Sequence, residues 1–78
     1  MHFVKNVNYL SDYKLAITFE DHTTKTVDLA PFLDGEVFEP LKNINYFKKV
    51  TVNHDIDTIV WDNGADLSPD FLYEIGTK

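Results

Sequence analysis

Alternation of apolar and polar positions is clearest in "KLAITFE" (14–20), where Leu15, Ile17 and Phe19 share one parity and Lys14, Ala16, Thr18 and Glu20 the other. That pattern predicts a half-buried antiparallel strand. "TTKTVDL" (23–29) follows with Val27 and Leu29 inward, and only Asp21 and His22 separate the two runs. The spacing predicts a tight hairpin with a two-residue primed turn. Such a turn needs positive φ, which Asp and His adopt more readily than most residues but less easily than Gly. Upstream, "FVKNVNY" (3–9) predicts a first strand with Phe3, Val7 and Tyr9 on one parity, and Ser11 and Asp12 mark a turn. Downstream, "KVTVN" (49–53) and "TIVWD" (58–62) predict a second hairpin across the polar loop "HDID" (54–57).

Between and after these strands the periodicity changes. "APFLDG" (30–35) predicts a short helical turn, with Pro31 at its start and Gly35 closing it. Phe38, Leu41, Ile44 and Phe47 recur at a spacing of three, but Pro40 prevents one continuous α-helix, so two short turns are expected. "SPDFLYEI" (68–75) predicts a short C-terminal helix with Ser68 as N-cap, Pro69 as its first residue and Asp70 at the positive end of its dipole. Together these elements give one α+β domain over residues 1–78: a small, mostly antiparallel sheet of about five strands with short helical turns and a short C-terminal helix.

Composition narrows the functional classes. The chain is 44% hydrophobic and 14% aromatic, too apolar for a disordered segment. It has no cysteine, which removes disulfides, thiolate catalysis and cysteine-type zinc sites and fits a reducing, cytoplasmic setting. The start "MHFVKNVNYL" lacks the apolar run of a signal peptide, and no segment approaches the roughly 18 apolar residues of a membrane span. The net charge of −6 repels a phosphate backbone and argues against nucleic acid as a partner.

The hairpin "LAITFEDHTTKTVDL", then Pro31, Phe38, Leu41 and Phe47, then "VNHDIDTIVWDNGADLSPDFLY" together resemble the bacterial domain-of-unknown-function family 2442. The resemblance spans nearly the whole chain. Its most specific part is the tail signature Trp61, Gly64, Ala65, Asp66, Leu67, Pro69, Asp70, Leu72 and Tyr73. One departure is His22, where the family usually places a Gly in the first hairpin turn. The resemblance implies a small bacterial cytosolic protein. Some members carry a helix-turn-helix domain, for which these 78 residues leave no room, and some stand beside a second small protein in an arrangement like a toxin–antitoxin pair. It brings no catalytic residue set.

Residue by residue, the chemical constellations are thin. Asp66 and Asp70 pair two carboxylates, but a cation site needs three or more convergent ligands. Each also has a structural use: Asp66 bracing the turn after Asn63-Gly64, Asp70 at the helix start. His54-Asp55 is an adjacent His-Asp pair without the helices or further ligands of a phosphohydrolase, and His2, His22 and His54 share no metal-ligand spacing. Ser11 and Ser68 lie outside any nucleophile elbow, and Gly35, Gly64 and Gly76 stand too far apart for a phosphate loop. "KNINYFKK" (42–49) is the one basic stretch, with Lys42, Lys48 and Lys49 around Tyr46 and Phe47. Trp61 shares parity with the core position Ile59, yet Trp is also enriched at interface hot spots.

These observations favour a non-enzymatic protein-interaction or regulatory module, antitoxin-like in the sense of the family resemblance. No cofactor or metal is expected, and the partner is a protein, either a second copy or another small chain. The candidate interaction surface is Trp61, Tyr73, Tyr46, Lys42, Lys48 and Lys49. The alternative is a transcription-linked accessory domain touching nucleic acid through Lys42–Lys49. A small metal-dependent hydrolase using Asp66, Asp70 and His54 ranks last.

Overall fold

The computed structural model describes residues 2–77. Strands β1 (Val4–Ser11), β2 (Lys14–Phe19) and β3 (Thr24–Asp28) form an antiparallel meander in that order. Two 3₁₀ turns (Ala30–Phe32 and Glu39–Lys42) and the single-turn helix α1 (Ile44–Phe47) follow. Strands β4 (Thr51–Asn53) and β5 (Thr58–Val60) pair antiparallel, and helix α2 (Pro69–Ile75) comes last. The five antiparallel strands are thus divided three and two between separate sheets. The Val4 N–H, donating to the Asp57 carbonyl at 2.8 Å, ties the two together.

The clean alternation of β2 translates directly into burial: Leu15, Ile17 and Phe19 are inside, as are Val27 and Leu29 opposite and beyond them. Strand β1 departs from its simple parity. Val4 lies opposite Phe19 and Asn6 opposite Thr18, so Lys5 is the extra residue of a β-bulge. The bulge flips the alternation. Val4 is fully buried, Val7 and Tyr9 pack against the core, and Phe3, expected inward, is left 39% exposed.

The first hairpin turn also differs from the primed turn expected. The Phe19 N–H donates to the Thr23 carbonyl (2.8 Å), the His22 N–H donates to the Phe19 carbonyl (2.9 Å), and only His22 has positive φ, at 69°. This is a three-residue loop, Glu20–His22, in which a turn of ordinary hand is followed by one left-handed residue. The Asp21 carboxylate stabilises it by accepting the Thr23 N–H at 2.9 Å.

Both prolines in the middle of the chain sit where their missing N–H costs nothing, in the first positions of the 3₁₀ turns. Asn43 caps α1 by accepting the Asn45 N–H at 3.0 Å, and the turn drives Leu41 and Phe47 into the core. Helix α2 starts as its sequence dictates: the Ser68 hydroxyl accepts the Phe71 N–H at 3.5 Å, Pro69 begins the helix and Leu72 is its buried residue. After α2 the chain turns back against the edge of β3. Thr26 and Thr77 exchange backbone hydrogen bonds of 2.7 and 2.9 Å. Gly76 permits that approach, since a Cβ there would lie 2.7 Å from the Lys25 Cβ.

Candidate functional site

The segment from Trp61 to Tyr73 divides into a structural part and an exposed part. Trp61 is 3% exposed, its indole N–H donates to the Phe47 carbonyl at 3.0 Å, and its ring lies 5.7 Å from that of Phe47. It belongs to the core and not to an exposed recognition surface. A tight turn follows, in which the Gly64 N–H donates to the Trp61 carbonyl and the Trp61 N–H to the Ala65 carbonyl, both at 3.0 Å. Gly64 takes φ +88°, a conformation that side chains disfavour. The brace of this turn is Asn63 rather than Asp66. The Asn63 side chain accepts the Ala65 N–H (3.0 Å) and donates to the Val37 carbonyl (2.8 Å), fixing the turn to the segment before Glu39. Asp66 is exposed and contributes a backbone bridge to Val60. Next to it, buried Thr58 donates its hydroxyl to the Leu67 carbonyl.

Tyr73 anchors a cluster that joins the start, the first hairpin and the end of the chain. The His2 ring stacks on it at 3.6 Å and 4°, and the Lys25 ammonium lies 3.8 Å over it. A parallel ring and an ammonium at those distances occupy opposite faces, so the phenol is sandwiched. Lys25 also donates to the Tyr73 carbonyl at 2.8 Å, satisfying a carbonyl in the last turn of α2. The Tyr73 hydroxyl donates to the Asp21 carboxylate at 3.3 Å, and the His2 N–H donates to the Asp70 carboxylate at 2.7 Å. The Asp21 carboxyl is held below its ordinary value chiefly by the Thr23 backbone N–H; desolvation opposes this, and the Thr23 and Tyr73 hydroxyls and nearby His2 add to the lowering. Asp70 is therefore both a helix-start acid, as expected, and a tether for the N-terminal segment.

The basic stretch is only partly free. Lys42 faces Asp34 at 3.6 Å and Glu39 at 3.4 Å, and its backbone carbonyl accepts the Tyr13 hydroxyl. Tyr46 is half-buried against the core. Lys48 and Lys49 are exposed, with the Lys48 ammonium 5.9 Å from the Tyr9 ring. The six candidate surface residues thus do not form one patch. Trp61 is inside, Tyr73 is engaged with His2, Asp21 and Lys25, and among the described residues only Lys48 and Lys49 of the six present unpaired charge. Among the described residues no three His, Asp or Glu side chains converge in metal-holding geometry, Asp66, Asp70 and His54 included.

A surface feature that the pattern of the sequence did not single out is the pair Phe32 and Phe71. Their rings meet edge to face, 5.1 Å apart at 87°, with Phe32 39% exposed. Acidic residues lie close to both in the sequence. Asp28 accepts the Ala30 N–H (3.1 Å) at the start of the turn that carries Phe32, and exposed Asp70 and Glu74 flank Phe71 on α2. The one local signal was Pro31, which fixes the turn that leaves Phe32 outside.

A small antiparallel α+β domain whose Trp-to-Tyr tail segment locks the core defines the class of the chain. The family described as "Protein of unknown function (DUF2442)" matches residues 4–78, and the chain belongs to it. No curated protein and no solved structure matches. No helix among the described residues is long and apolar enough to cross a membrane.

Proposed function

We propose that this domain is a non-enzymatic protein-interaction module that docks a partner through the aromatic pair Phe32 and Phe71. The observation that carries the reading is the exposure of Phe32 beside Phe71, with the acidic residues Asp28, Asp70 and Glu74 near them in the sequence. Aromatic side chains at a surface, apolar at the centre and charged at the rim, are the usual anatomy of a recognition patch. The partner it suits is a protein with an apolar anchor and basic neighbours. The finer reading, a regulatory or antitoxin-like half of a small two-protein pair, is supported by the family resemblance alone.

The test compares the wild-type chain with Phe32→Ser. The substitution removes a partly exposed ring, so the expected loss of stability is about 1 kcal/mol or less. Both proteins are used as bait in cross-linked extracts of the source cells and run in sedimentation velocity. The expected result is one partner, or self-association, present with the wild type and lost with Phe32→Ser while the far-UV spectrum is unchanged. A wild-type chain that stays a monomer and retains nothing the variant fails to retain would refute the reading.

A further inference from the structure

The outer edge of β1, which β4 and β5 approach, carries backbone groups that no hydrogen bond among the described residues satisfies. On β3, Thr26 uses both its N–H and its carbonyl on Thr77, so it faces away from β2. In an antiparallel ladder the alternate residues exchange bonds, which makes Lys25 with Ile17 and Val27 with Leu15 the bonded pairs. Ala16 and Thr18 then point toward β1, where they meet Asn8 and Asn6. Val7 and Tyr9 in turn aim their N–H and carbonyl groups outward. Among the described residues no backbone or side-chain group pairs with them. The edge is closed at its beginning, where Val4 bonds to Asp57, and bulges interrupt the ladder between Val4 and Asn6 and between Tyr9 and Ser11.

Beside Tyr9 the nearest charge is a lysine, opposite in sign to the molecule as a whole. The net charge is −6, yet residues 43–54, beyond the paired Lys42, hold Lys48 and Lys49 and no acid. Lys48 reaches over Tyr9 at 5.9 Å, and among the described residues neither it nor Lys49 has a carboxylate partner. Lysine beside an open edge opposes pairing with a second copy, because two-fold pairing of β1 with itself would bring one Lys48 toward the other. The same lysines attract an acidic strand.

We propose that the β1 edge at Val7 and Tyr9 is a docking site for an extended acidic segment of a partner protein. The segment adds as a strand, its backbone pairing with Val7 and Tyr9 and its carboxylates meeting Lys48 and Lys49. The site is distinct from Phe32 and Phe71, and either can fail without the other.

The experiment uses the isotope-labelled full chain and two sets of eight-residue peptides, one alternating Glu with Val, Thr or Tyr, the other with Lys in place of Glu. Amide hydrogen exchange is followed residue by residue. The expected result is that acidic peptides slow exchange at Val7 and Tyr9 by about tenfold or more, while lysine peptides leave it unchanged. The double variant Lys48→Glu, Lys49→Glu, both at exposed positions, should reverse that preference with Leu15 and Ile17 amides as protected as before. The proposal is overturned if no acidic peptide slows these two amides or if both peptide sets act alike. It is equally overturned if protection grows with protein concentration alone, the signature of a second copy. A single-stranded oligonucleotide that shifts Lys48 and Lys49 more strongly than any acidic peptide, without protecting Val7 and Tyr9, also overturns it.

Discussion

Replacing Trp61 by Phe separates its structural role from any role at a surface. The indole is 3% exposed, and its N–H is the donor to the Phe47 carbonyl at 3.0 Å. Phenylalanine removes that donor and leaves the carbonyl with only the longer bond from the Val50 N–H, at 3.3 Å. Loss of a buried hydrogen bond of this kind costs about 1 kcal/mol. The smaller ring also empties roughly 40 Å³, which at about 24 cal/mol per Å³ costs about another 1 kcal/mol. The expected destabilisation is about 2 kcal/mol. For a domain of this length that lowers Tm by roughly 10 °C. Urea unfolding should be followed by far-UV circular dichroism, because the substitution removes the only tryptophan. In the wild type, that tryptophan should emit at short wavelength and shift red on unfolding. A midpoint change worth less than about 0.5 kcal/mol would mean that the indole is not packed as described, and would return Trp61 to the list of surface candidates.

Gly76→Ala places a methyl group 2.7 Å from the Lys25 Cβ and 3.0 Å from the Leu72 carbonyl, so a loss of about 1–3 kcal/mol in chemical denaturation is expected, with faster amide exchange at Thr26. His22→Gly relieves a left-handed residue at φ 69° and should be neutral or stabilising by up to about 1 kcal/mol; a clear fall in Tm would show that the imidazole has a role of its own. Asp21 has a lowered carboxyl pKa in the fold, so its contribution to stability is fully present above pH about 4 and is lost as the pH falls through the folded value. Asp21→Asn should therefore flatten the acid limb of a stability-versus-pH curve, and an unchanged limb would contradict the hydrogen bonds drawn to Thr23 and Tyr73.

Local chemistry made some of this legible in the sequence. Strand β2 could be read because every second residue is apolar, and α2 because Ser68, Pro69 and Asp70 are each suited to a helix start. The bulge at Lys5 could not be read. Nothing in "FVKNVNY" marks which residue is extra, and the choice is made by Val4 bonding to Asp57 more than fifty residues away. The loop 20–22 is one residue longer than the sequence predicts, because the hairpin signal counts residues between apolar runs, whereas β2 leaves the ladder one residue sooner, at Phe19. The candidate surface fared worse. Lys42 looks free in the sequence and is neutralised by Asp34, and Trp61 and Tyr73 look alike as signature aromatics, though one is core and the other is gripped by His2 and Lys25. Phe32 and Phe71 meet across the fold, and only tertiary structure brings them together.

The contact between the two ends of the chain sets an order on its making. Val4 near the beginning and Leu72 in the last helix belong to one buried cluster, and His2 is held by Asp70 and Tyr73. A chain growing from its N-terminus therefore has its hairpins early but cannot seal its interior until α2 has been synthesised. Until then the apolar faces of β1 and β2 are open to water and to other chains. Newborn copies are thus most exposed to aggregation and to chaperones in the interval before α2 appears.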